Sequence, residues 1–146
     1  MLMGIEPVKF NLPGDDYLTE LLGGYVRGKA KGKSGIYIFT NKKTGFNYVG
    51  SSISLANRLK TGYFVANLQN RVIDLAIKQV GLDQFSLSIY LIPESLTGSN
   101  SLTKIKNLTL ALEQILILQL NPEYNVLKVV GSAAGNKRSL ESMLPS

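Results

Sequence analysis

Four side chains, far apart along the chain, have types that could act on a phosphodiester. They are Tyr37 and Tyr48 on two short apolar runs, Arg58 in LANRLK, and Glu113 in an otherwise uncharged stretch. A phenol can orient or deprotonate water, and a guanidinium can grip a phosphate through two parallel hydrogen bonds. Glu113 is the one charge between Asn107 and Asn121, NLTLALEQILILQLN. Its neighbours three and four residues away are Thr109, Leu110, Leu116 and Ile117. A carboxylate on so apolar a helix is costly to bury unless a metal ion or an arginine pairs with it. The structural alternatives are a packing pair of tyrosines, a solvated Arg58 beside Lys60, and an exposed helix edge carrying Glu113 with Gln114 and Gln119.

Composition narrows the chemistry. The 146 residues contain neither cysteine nor histidine. Disulfides, thiol nucleophiles, zinc fingers, Ser-His-Asp triads and histidine-based metal sites are therefore excluded. Net charge is +6, and no acid occurs between Glu20 and Asp74. That window carries Arg27, Lys29, Lys31, Lys33, Lys42, Lys43, Arg58, Lys60 and Arg71. A surface of one sign suits a polyanion, DNA or RNA, more than it suits solubility alone. Hydrophobic residues make up 45% of the chain, enough for one core, and no apolar run approaches the length of a membrane span. The start, MLMGIEPVKF, has neither a secretory nor an organellar import pattern.

One glycine-rich string is a decoy. GGYVRGKA has the spacing of a phosphate-binding loop, but Ala30 stands where a hydroxyl must hold magnesium. The segment before it also reads as helical, not as a strand.

The elements that must position the four groups follow from periodicity. GIYIFT and FNYVGSS read as antiparallel strands around the turn NKKTG, where Gly45 can take positive φ. Opposing Thr40 to Gly45 would set Tyr37 directly across from Tyr48. LANRLKTGYF reads as a short helix with Ser54 at its start. NLQNRVIDLAIKQVG reads as a second helix, with Val72, Ile73, Ala76, Ile77 and Val80 on one side. QFSLSIYLI alternates with Phe85, Leu87, Ile89 and Leu91 inward, giving a third strand. LTKIKNLTLALEQILILQL is a long helix closed by NPEYN. YLTELLGGY reads as a helix within an extension. The order ββααβα suggests a small α/β sheet with helices packed against it, its first two strands antiparallel. Residues 1–33 form a basic extension and linker, 34–128 the globular domain, and 129–146 a tail.

Taken together, the motifs point to a family. GIY, ten residues, then YVG, followed by GSSISLANRLK and by LEQILILQLNPEYNVLK, resemble the GIY-YIG nucleases. The nearest resemblance is to homing endonucleases of fungal mitochondrial group I introns. It implies a fold, α/β (α+β) with a small three-stranded antiparallel sheet flanked by helices, and an activity, metal-dependent hydrolysis of double-stranded DNA in the mitochondrial matrix, with no membrane and no small-molecule substrate. RNA is the alternative polyanion. The family's catalytic residues fall on Tyr37, Tyr48, Arg58, Glu113 and Asn125, with Glu113 holding Mg2+ or Mn2+ and all of them converging on one pocket. Lys33, Lys42, Lys43, Lys60, Tyr63, Arg71, Lys137 and Arg138 would contact the nucleic acid. Two departures stand out. Gly62 occupies the position, four residues after Arg58, where the family usually carries His or Tyr, and GNKRSLES resembles the start of a DNA-reading module that stops at Ser146. They suit a runner-up: a weakly catalytic or inactive protein of the same fold that binds nucleic acid, for example in a mitochondrial ribonucleoprotein such as the ribosome.

Overall fold

A computed structural model describes residues 4–12, 25, 28–59, 72–93 and 101–126. In chain order these form β1 (Val8–Asn11), β2 (Gly35–Asn41), β3 (Asn47–Ser52), α1 (Leu55–Leu59), α2 (Val72–Val80), β4 (Phe85–Leu91), α3 (Leu102–Leu120) and α4 (Glu123–Val126). A single turn of 3-10 helix, Leu82–Gln84, leads into β4.

The strands form one antiparallel sheet in the order β1-β4-β2-β3. The sheet thus has four strands, not the three expected. The addition is β1, drawn from residues read as an extension. VKFN is short, contains a lysine and is bracketed by Pro7 and Pro13, so its alternation is too brief to register. It is nevertheless held in place: Ile5 and Leu12 are buried on either side of it, and Phe10 meets Tyr25 edge-on with ring centroids 5.3 Å apart.

β2 is central and buried on both faces, which explains the unbroken run IYIF. On one face Tyr37, Phe39, Phe85, Leu87 and Ile89 pack against Leu55 and Leu59 of α1, Ile73 and Ile77 of α2, and Tyr124 of α4. On the other, Ile36, Ile38 and Val49 pack against Leu112 and Leu116 of α3. The result is three layers, with α3 alone on its side among the described residues. Each fully buried Leu, Ile or Phe contributes roughly 1.5–3 kcal/mol.

The hairpin register differs from the expected one by two residues. Tyr37 lies opposite Gly50, and Tyr48 opposite Phe39. The cause is the turn. Asn41 N–H donates to the Phe46 carbonyl at 2.9 Å, and Gly45 N–H, at φ 76°, donates to the Asn41 carbonyl at 2.8 Å. Asn41 Oδ1 also accepts from Lys43 N–H at 2.9 Å, which locks the longer loop. A slip of two residues preserves the strand period, so both tyrosines still share a face.

Candidate active site

The two phenols are diagonal neighbours, not a direct pair, with ring centroids 6.5 Å apart. Tyr37 is 1% exposed and Tyr48 half-buried. The hydroxyl end of the Tyr37 ring lies against Gly50. A Cβ on residue 50 would stand 2.3 Å from Tyr37 Cζ and 2.4 Å from its hydroxyl oxygen. Glycine here is a steric requirement of the tyrosine across the strand, so the Y and the G of the two motifs form one packing unit.

Glu113 lies on α3, which crosses the opposite face. Strand alternation puts Gly50 toward the tyrosines and Ser51 toward α3. The Ser51 hydroxyl donates to the Glu113 carboxylate, and Arg58 stands close enough to attract it. Burial pushes the Glu113 carboxyl above its ordinary value, with the Ser51 hydrogen bond and the Arg58 charge pulling the other way. Glu113 is thus turned toward the sheet, while Gln114 and Gln119 are exposed.

Convergence is therefore partial. Tyr37 and Tyr48 occupy one face, Glu113 the other. α1 packs its Leu55 and Leu59 on the tyrosine side, yet Arg58 lies near enough to Glu113 to attract it. They approach one another because β3 is an edge strand, and among the described residues no further strand lies beyond it. A cleft of about 320 Å³ opens there, lined by Ser51, Ser52, Ile53, Arg58, Lys106, Thr109 and Leu110. Sequence reasoning missed Ser51, Lys106 and Thr109 as site residues. Lys106 precedes Glu113 by seven residues, two helical turns, and so shares its stripe of the helix. That spacing was the available signal.

Asn125 serves the edge strand itself. Its Oδ1 accepts from Val49 N–H at 2.7 Å and its Nδ2 donates to the Val49 carbonyl at 2.8 Å. Glu123 Oε1 accepts from Asn47 N–H at 3.1 Å, two residues earlier on the same edge. Between them Tyr124 is buried, packed edge-on against Phe46 at 5.8 Å, with its hydroxyl accepting from Asn41 Nδ2 at 3.2 Å. Asn121, at φ 46°, ends α3 in the left-handed conformation, and Pro122 follows. NPEYN is thus a stop followed by a clamp. It turns the chain at Asn121, anchors it through Tyr124, and holds β3 by alternate side chains.

A family model, the GIY-YIG catalytic domain, matches residues 33–125. This chain belongs to the GIY-YIG family. Membership implies nuclease activity in general, and GIY-YIG nucleases act on DNA. No curated protein and no solved structure matches the chain.

The expected nucleic-acid contacts divide. Lys33 lies beside the cleft end of β3, its carbonyl accepting from Leu55 N–H at the start of α1. Lys42 and Lys43 are exposed at the hairpin turn, the other end of β3, about 20 Å along the strand. Lys42 Nζ bonds the Asp83 carbonyl there. Both charges lie at the turn, at the opposite end of β3 from the cleft. Lys60, Gly62, Tyr63, Arg71, Lys137 and Arg138 lie outside the described residues, as do residues 17–24 of the helix expected in the extension. No helix among the described residues is long and apolar enough to cross a membrane.

Proposed function

We propose that this GIY-YIG protein is a metal-dependent endonuclease that hydrolyses DNA phosphodiester bonds at the outer edge of β3. One observation carries the reading. The single charge of a fifteen-residue helical stretch is turned inward to Ser51, with Arg58 near enough to attract it, and both of those residues line an open cleft that Lys106 also lines.

The donor set suits a hard divalent cation. Among the described residues no cluster of three His, Cys, Asp or Glu side chains occurs. A lone carboxylate beside a hydroxyl fits an ion that keeps several waters and takes its remaining oxygens from substrate phosphate, as Mg2+ or Mn2+ does. Such an ion, held by Glu113, would stabilise charge on the phosphate and the leaving oxygen. The chain's own groups do the rest. Arg58 binds a non-bridging phosphate oxygen and stabilises the charge that grows there as water attacks phosphorus and the P–O bond breaks. Lys106 and Lys33 hold flanking phosphates. Half-exposed Tyr48 hydrogen-bonds the attacking water or the phosphate from the other side of the edge. A free phenol ionises near pH 10, so tyrosine here serves better as a proton relay than as an isolated base. Buried Tyr37 fixes Tyr48 and fills the space over Gly50. Asn125 is a positioning residue: it holds the Val49 backbone between Tyr48 and Gly50.

On its resemblance to intron-encoded homing enzymes the reading extends to a mitochondrial role. The burial of Tyr37 favours the second reading, nucleic-acid binding without turnover, in which the same edge grips a backbone and cuts nothing. Plasmid cleavage with magnesium, with and without chelator, separates the two when wild type is compared with Glu113→Ala. Chelator-sensitive cutting lost in the variant supports the nuclease. Equal cutting by both removes the metal site, and no cutting by either, with tight RNA binding, supports the second reading.

A further inference from the structure

Among the described residues, the face of the sheet that α3 covers is covered only in part. α3 lies over β3 and the near side of β2, and beyond it the same face is lined by Thr40, Ser86, Ser88 and Tyr90, with Lys9 and Asn11 of β1 further out. A second cavity of about 310 Å³ opens beside the C-terminal half of the helix. Its floor is apolar, from Ile38, Leu116 and Leu120, and its walls carry Thr40, Asn47, Ser88, Tyr90 and Gln119. The lining holds three hydroxyls, two amides and one aromatic ring, and no charge. Thr40 Oγ1 donates to Asn47 Oδ1 at 2.7 Å, which fixes the Asn47 amide with its Nδ2 donors uncommitted among the described residues. Lys9 is the direct cross-strand partner of Ser88 on this face and is exposed, so a cation stands at the rim.

We propose that this cavity is a nucleobase-binding pocket, taking one unstacked DNA base between the sheet and α3 with its phosphate at Lys9. An uncharged planar ligand with donors and acceptors on its edge matches the uncharged walls of hydroxyls and amides, and Tyr90 and the apolar floor meet its faces. A neutral pocket with one cation outside it matches a nucleotide, whose charge lies on the phosphate alone. Nothing in the lining suits an anion within the cavity, and the five polar walls disfavour a purely apolar ligand.

The position relative to the cleft adds a prediction that rests on the nuclease reading. The two cavities touch α3 about ten residues apart, around Thr109 and around Gln119. At 1.5 Å per residue that is about 15 Å. With about 3.4 Å per step of a stacked strand, the pocket reads a base roughly four to five steps from the bond cut at Arg58.

The test is a titration of the full chain, 15N-labelled, with each of the four deoxynucleoside monophosphates, followed by NMR. Shifts are expected at Thr40, Asn47, Ser88, Tyr90 and Gln119. Ser88→Val, which fills the cavity while suiting a strand, should weaken binding roughly tenfold, as should Gln119→Ala on the exposed helix surface. Lys9→Gln should weaken the monophosphate and leave the nucleoside unchanged. Shifts confined to Ser51, Arg58 and Lys106, no shifts at all, or unchanged affinity in both folded pocket variants would overturn the proposal. Wild-type plasmid cleavage, run alongside the titration, separates the two readings. Base binding in a wild-type protein that does not cut with magnesium keeps the pocket and sinks the nuclease, whereas magnesium-dependent cutting without base binding does the reverse.

Discussion

The two polar clusters that flank β3 have similar compositions and opposite designs. In the NPEYN clamp, Asn125 spends both amide atoms on one backbone unit, Glu123 accepts from another, and the Tyr124 hydroxyl is bonded to Asn41. In the cleft, Glu113 is half-desolvated and only partly compensated by Ser51 and Arg58, while Arg58 and Lys106 remain exposed. The clamp lowers the free energy of the fold. The cleft raises it and leaves charge available to something outside the chain. The same residue types at an edge strand can thus be told apart by where their hydrogen bonds go.

Substitutions should break the two regions in different ways. The largest effect falls on the cleft. Glu113→Gln should cut DNA roughly 1,000-fold more slowly, about 4 kcal/mol in the barrier, with circular dichroism and the thermal midpoint no worse than wild type. A variant that loses cutting and unfolds together would erase the distinction between the regions. Next comes the clamp. Asn125→Ala leaves the Val49 N–H and carbonyl without their partner and should cost about 1–3 kcal/mol in chemical denaturation. If stability were unchanged while cutting vanished, Asn125 would belong with the reacting groups. Gly50→Ala drives a methyl into the Tyr37 ring and should cost about 1–3 kcal/mol, partly restored by Tyr37→Leu, which clears the space. No restoration would mean that the glycine serves something other than the ring.

The smallest effect is in pH. The Glu113 carboxyl titrates above its ordinary value in the folded protein, so the folded state binds that proton more tightly than the unfolded one. The stability this lends is fully present below the ordinary carboxylate pKa and is lost as pH rises through the raised value. Glu113→Gln should therefore match wild type in acid and exceed it in denaturation midpoint near neutral pH. A variant less stable than wild type at neutral pH would show that Ser51 and Arg58 outweigh the burial.

How much of this was legible in the residues differs by element. α3 announced its end, because LTKIKNLTLALEQILILQL runs into Asn121 followed by proline. The shared face of Tyr37 and Tyr48 followed from strand parity, which survives any even slip. Their register did not, since it depends on the Asn41 side chain capturing the turn. β1 was hidden by its brevity. Ser51 and Gly50 were bound to face opposite ways, but which face α3 would take is set by the whole core, with Ile36, Ile38 and Val49 matched to Leu112 and Leu116. The separation of acid from phenols was therefore beyond local reasoning. Lys106 shared the Glu113 stripe in plain sight and was overlooked because lysines on helices are commonly solvated.

On the nuclease reading, groups on opposite faces of the sheet serve one reaction by meeting around its edge strand. A double-mutant cycle in single-turnover cleavage tests it, comparing Tyr48→Phe, Glu113→Gln and the pair. Tyr48→Phe alone should slow cutting about a hundredfold, and the double variant should be no slower than Glu113→Gln, as for residues acting as a unit. Wild-type rates in Tyr48→Phe, or losses that multiply in the double variant, would contradict it.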